Sequence, residues 1–217
     1  MLNDESRPSQ GAREFTWPDY IGWGWMVVQQ RMEADWKGIW NYALPHVHAT
    51  EETVTSTEAQ LGFRLPDSYR GFLLASNGWS YFYLDMTAFS TSDLLGGELH
   101  EAGQTQLELE ECVEAMAADG VIAADHFPVA ASLESIDVAL MGKPGTPAAG
   151  TVSWVRGEVI ERYDDFLDYY LSMMELSKQE TESIRRKDGP KPDGVPHAVI
   201  DRPDSPSIIE ETRRDDL

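Results

Sequence analysis

Residues 54–78 read VTSTEAQLGFRLPDSYRGFLLASNG and carry the densest helix punctuation in the chain. Val54 and Leu61 share one face of a short helix, with Glu58 beside them, and Thr50 is placed to cap its first turn. Gly62 ends that helix in the left-handed conformation that glycine adopts at no steric cost. Phe63-Arg64-Leu65 must be extended, because the residue before a proline is pushed out of the helical region. Pro66 then opens a second helix at its first turn, where a missing amide costs nothing, and Asp67 favours the positive helix end. Tyr69, Phe72 and Leu73 form its buried stripe, and Asn77-Gly78 stops it.

Residues 1–14 are polar and read as a flexible tail. Phe15 to Trp40 holds five of the seven tryptophans, and Ile21, Trp25, Val28 and Met32 recur on one helical face. That spacing reads as packing rather than as a ligand pocket. His46 and His48, followed by Glu51 and Glu52, look superficially like metal ligands. No further histidine or cysteine follows at ligand spacing, so no metal is expected and the segment reads as a loop. Trp79 to Phe89 is aromatic and strand-favouring, and Leu94 to Gly97 forms a turn. Residues 105–118 return to helical spacing. Leu109, Cys112, Val113 and Met116 point inward, and Glu108, Glu110, Glu111 and Glu114 point out. Phe127 to Ala131 reads as a strand, and Ile136, Val138 and Leu140 alternate in another. Residues 143–150 form a Gly/Pro loop. Thr151–Val155 and Val159–Tyr163 make a hairpin. Asp164 or Asp165 caps a last helix carrying Phe166, Leu167, Tyr170, Leu171 and Met174. From about Ser177 onward proline and glycine mix with charges of both signs, which reads as an arm spanning residues 177–217.

The formal net charge is −21, from 38 acidic and 17 basic residues. It is unevenly placed. Residues 71–142 contain twelve acids and no lysine or arginine. A chain this acidic repels phosphate backbones and anionic membranes, so neither nucleic acid nor a membrane is an expected partner. A stretch without compensating cations can make a coherent negative patch that steers cationic partners; the alternative is a solvated helix face that keeps the chain in solution. The single cysteine, Cys112, excludes an internal disulfide framework. Its helical position reads as a core thiol rather than a nucleophile. The polar amino terminus has no signal-peptide pattern, and the expected location is the cytoplasm. No phosphate-binding glycine loop, dinucleotide fingerprint, nucleophile elbow or zinc-protease spacing occurs. The expectation is a protein without catalytic residues or cofactor.

The stretch from residue 54 to 78 also resembles a known signature. Glu58, Leu61-Gly62, Leu65-Pro66, Tyr69 and Asn77-Gly78 fall at the spacing of the SUKH superfamily, the Smi/Knr-type domains. The late Tyr163-Asp164-Asp165-Phe166-Leu167 resembles the ending common in that family. The resemblance implies an α+β fold, a single SUKH-like domain over residues 15–176 with helices packed around a central, mostly antiparallel sheet. It implies a protein-binding role. Many bacterial members resemble immunity proteins that neutralise polymorphic toxins, and fungal members resemble regulatory adaptors. Joined to the acidic segment, this predicts an immunity-type protein that blocks a basic, nuclease-type toxin domain. Asp93, Glu98, Glu108, Glu111 and Glu114 would supply charge, and Trp79, Tyr81 and Tyr83 would serve as aromatic anchors. The rival expectation is a regulatory scaffold that engages a cellular partner through residues 178–217.

Overall fold

The computed structural model describes residues 15–192. The expected N-terminal tail, residues 1–14, and the arm beyond residue 192 lie outside the described residues.

The chain is an α+β fold in which helices cover both faces of a six-stranded antiparallel sheet in simple sequential order. Helix α1, Trp17–Ala34, begins where the Asp19 carboxylate accepts hydrogen bonds from the Thr16 amide at 2.9 Å and the Thr16 hydroxyl at 2.7 Å. Helix α2, Glu51–Leu61, is capped by the Thr50 hydroxyl, which accepts from the Thr53 amide at 3.1 Å. It ends at Gly62, whose φ is +78°. Helix α3, Asp67–Leu73, follows Pro66, which itself stays extended at ψ 141° and so stands just before the helix rather than inside its first turn.

Strands β1, Trp79–Tyr83, and β2, Met86–Ala88, form a tight hairpin. Helices α4, Glu98–Glu108, and α5, Glu110–Ala118, come next. Strands β3, His126–Ser132, β4, Val138–Gly142, β5, Val152–Val155, and β6, Val159–Tyr163, complete the sheet. Helix α6, Phe166–Asp188, starts where the Asp165 carboxylate accepts from the Asp168 amide at 3.0 Å.

Register assigns the two faces, because paired residues point the same way. Met86, Ala130's partner Ala139, and Trp154 lie on one face, and α6 covers it: the Tyr169 hydroxyl sits 3.8 Å from the Met86 sulfur. Pro128, Leu140, Ser153 and Arg162 lie on the other face, where α4 packs on β3. The approach there is close. A Cβ at Gly103 of α4 would stand 2.5 Å from the Pro128 side chain, so only glycine lets the helix lie this near the strand. With both faces covered, β3 and β4 are buried at every position.

Beneath α6 lies an aromatic cluster. Phe166 meets Tyr69 at 4.7 Å and Phe72 at 5.0 Å between ring centroids, and Trp17 meets Phe72 edge-on at 5.6 Å. Helix α1 packs along α6. A Cβ at Gly24 would fall 1.8 Å from the Tyr170 hydroxyl, which donates to the Tyr20 carbonyl at 3.0 Å.

Three elements differ from the sequence reading. The helix expected over 105–118 is two helices broken at Leu109, whose ψ of 119° is extended; the side chain points outward and is 49% exposed. Ile136 precedes β4 and is exposed in the turn, because the alternation around it reflects two buried faces rather than one wet and one dry. The last helix continues past Ser177 to Asp188, since Ser177, Thr181 and Ile184 are buried on it.

Candidate functional site

The residues of the SUKH-like signature act structurally. Glu58 accepts from the Leu65 amide at 3.0 Å and from Arg70 Nε at 3.3 Å. It therefore fixes the extended link ahead of Pro66 and ties α2 to α3. Arg70 also pairs with Glu51, which holds the Glu51 carboxyl below its ordinary range chiefly through that hydrogen bond. The Tyr69 hydroxyl donates to the Phe89 carbonyl at 2.9 Å, and Asn77 Oδ1 accepts from the Thr91 amide at 2.9 Å. Both bonds staple the helix pair to the end of β2. His46 contacts the Asn77 carbonyl through Nδ1 at 3.1 Å and the Ser80 hydroxyl through Nε2 at 3.2 Å. Both ring nitrogens are thus used within the loop. Among the described residues no group of three or more His, Cys, Asp or Glu is arranged to hold a metal ion.

The expected anchor Trp79 is corrected by the structure. It is fully buried, its indole donates to the Ala43 carbonyl at 2.9 Å, and its ring lies against Trp25 and Tyr170. A partner at the surface has nothing of it to grip. Tyr81 and Tyr83 are half-buried. Tyr81 lines a small cleft of about 170 Å³ with Asp85, Leu99 and Leu133, and its backbone is left-handed at φ +54°. Tyr83 stands edge-on to Trp154 at 6.2 Å, and burial pushes its phenol up.

The acids divide in the same way. Asp93 is committed locally: its Oδ2 accepts from the Ser90 amide at 2.8 Å and the Ser90 hydroxyl at 2.6 Å. Asp137 is buried and clamped by Arg156, whose Nη2 lies 2.8 Å from Oδ2. Glu98, Glu108, Glu111 and Glu114 are exposed, as are Glu101 and Glu110. Neither α4 nor α5 carries a lysine or arginine, and among the described residues no ion pair engages these glutamates.

The break at Leu109 brings Glu108, Glu110 and Glu111 together around the helix junction, with Glu114 one turn further along α5. Glu98 stands at the opposite end of α4, about 15 Å away at a rise of about 1.5 Å per residue. The exposed Leu109 at the centre of the junction escaped the sequence reading. A signal for it was present: Leu107 and Leu109 are two apart, so about 200° separates them on a helix and both cannot face the sheet. Leu107 is the one that packs against the core. Cys112 is half-buried, and its thiol points at Gln106 Oε1 at 3.4 Å.

No helix among the described residues is long and apolar enough to cross a membrane. No curated protein matches the chain. A family model does, over residues 48–172, which takes in the Glu58 staple, the Asn77-Gly78 stop and all six strands. The chain belongs to the SMI1 / KNR4 family, SUKH-1.

Proposed function

We propose that this protein is a cytoplasmic, non-catalytic binding module of the immunity type, which neutralises a cognate basic toxin domain through the α4–α5 surface. The observation that carries the reading is the set of exposed, unpaired glutamates at the helix junction, on two helices without a lysine or arginine. A nuclease-type domain presents cations to its substrate, and an acidic surface occupies those cations as a phosphate backbone would. Leu109 adds an exposed apolar side chain among these charges, which a partner can bury on docking. Family membership supports a protein-binding role in general.

The test is co-expression with a toxin domain encoded beside this chain. Survival of the cells and a complex whose association slows steeply with salt support the reading. Neutralising Glu108, Glu111 and Glu114 together to glutamine removes most of that salt dependence. Cell death despite co-expression, with no complex at low salt, refutes toxin neutralisation and leaves the adaptor role, with its partner found among cellular proteins.

A further inference from the structure

On the α4 side of the sheet, past the end of α5, β6 is exposed at its middle residues beside the fully buried β5. A cleft of about 340 Å³ opens there between Gly120, at the end of α5, and the Pro147-Ala148 turn of the β4–β5 loop. Ser153 and Arg162 are register partners and form its floor. His126, at the start of β3, lines the same cleft. This volume is within the range of small-molecule sites.

The polar groups in it are built in rather than incidental. His126 is 3% exposed and Ser153 is 2% exposed. Yet among the described residues no hydrogen bond or ion pair engages the Ser153 hydroxyl, the Arg162 guanidinium or Nε2 of His126. The other ring nitrogen, Nδ1, lies 2.7 Å from the Ile122 carbonyl. A carbonyl only accepts, so Nδ1 carries the hydrogen, and in the neutral ring Nε2 is an acceptor without a donor. Burial, opposed by that hydrogen bond and by Asp125 and helped by Lys143 and Arg162, holds the imidazole below its ordinary pKa and hence neutral at pH 7. Both side chains are more than nine-tenths buried, yet Ser153 Oγ and His126 Nε2 stay open to the cleft without a partner among the described residues, so their hydrogen bonds go to whatever fills it.

The donors and acceptors define its chemistry. Arg162 and Ser153 present hydrogens side by side to an anionic oxygen, and His126 Nε2 and Asp164, which also lines the cleft, ask for hydroxyl donors. We infer that this cleft binds a small anion bearing a hydroxyl near its charged group, the shared chemistry of a sugar phosphate and a hydroxy acid. The site is distinct from the α4–α5 junction and does not depend on the partner proposed for it.

The experiment is NMR titration of the full chain, following the His126 side chain and the Ser153 amide, with ribose 5-phosphate, tartrate, inorganic phosphate and ribose as separate probes. Saturable shifts with ribose 5-phosphate or tartrate are expected, and which of the two binds more tightly identifies the anion. Arg162→Gln, at an exposed position, should leave the remaining spectrum intact and weaken binding about tenfold, the loss expected for one charge-assisted hydrogen bond. Ser153→Ala should weaken it in the same direction. The inference is overturned if neither hydroxylated anion gives a saturable shift below about 10 mM, a limit already weaker than that of ordinary metabolite sites. It is also overturned if binding survives Arg162→Gln unchanged, or if inorganic phosphate binds as well as ribose 5-phosphate.

Discussion

Arg31 Nη1 donates to the Ser177 hydroxyl at 2.9 Å and so joins α1 to the second half of α6, two segments that both lie outside the family-matched residues 48–172. Arg31 is fully buried. Its Nη2 reaches the Tyr81 carbonyl at 3.4 Å, its guanidinium lies 5.4 Å from the centre of the Tyr42 ring, and its Nε has no partner. Asp35, one turn along, is also buried, but its carboxylate is taken up by the Ile39 and Trp40 amides and the Tyr42 hydroxyl. The cation is thus held by hydroxyl, carbonyl and ring rather than by a direct ion pair, and burial pulls its pKa down. At the far end of the two helices Lys37 pairs with Asp188 at 2.6 Å. These contacts make α1 and the end of α6 one unit laid over the family domain.

That arrangement predicts a ranking. Arg31→Ala empties a buried volume and leaves the Ser177 hydroxyl unpaired, a loss of about 2–5 kcal/mol. Arg31→Met fills most of the volume without a charge to desolvate, so it should cost less than half as much. Urea unfolding of the two variants decides between packing and charge. Equal losses from the two variants would mean that the guanidinium itself, rather than its volume, is indispensable.

Glu58 predicts a second effect. Its carboxylate holds the Leu65 amide and Arg70 together, and its side chain is 12% exposed. Glu58→Ala should destabilise the protein by about 1–3 kcal/mol through an unsatisfied amide. Glu58→Gln keeps an acceptor for that amide and should cost roughly half as much. Equal losses from the two would place the effect in the charge rather than in the amide.

The buried His126 gives a pH signature. Its folded pKa is lowered, mainly by desolvation, so below the ordinary histidine value near 6.5 the unfolded chain binds more protons than the folded one. The stability that this residue contributes is therefore complete above about pH 6.5 and is lost as the pH falls below it. Denaturant midpoints for the natural chain should drop between neutral pH and pH 5, and His126→Asn should flatten that part of the curve. An identical slope in the variant would assign the loss to the carboxylates.

How much of this was legible depends on how local the cause is. The α2–α3 pair was readable because Thr50, Gly62 and Pro66 act on their own backbone. The continuation of α6 was not, because Ser177 and Thr181 are small and polar, and only the arrival of Arg31 and α1 makes that face an inner one. Trp79 looked like a surface anchor because an aromatic strand reads alike from either face. Its place was settled by Trp25 and Tyr170, which come from helices distant in sequence. The acids of 71–142 were countable, but Asp93 and Asp137 are consumed by Ser90 and Arg156, which composition does not show.

Leu107 and Leu109 form a matched pair for testing the helix junction. They are the same residue type, two apart, on either side of Glu108. Leu107 packs against the core, and Leu109 is 49% exposed at the break. A single continuous helix carrying Leu109 inward makes the opposite assignment. Leu107→Ser should therefore lower stability by about 2–3 kcal/mol, from lost apolar burial together with an inward hydroxyl. Leu109→Ser should change stability by no more than about 0.5 kcal/mol, as exposed substitutions do. Thermal melts of the two variants separate the alternatives without any knowledge of the partner. If the partner binds at the junction, Leu109→Ser weakens the complex while the free protein melts as before. The glutamine triple at Glu108, Glu111 and Glu114 instead slows association, because steering depends on charge and the seated complex depends on buried apolar contact.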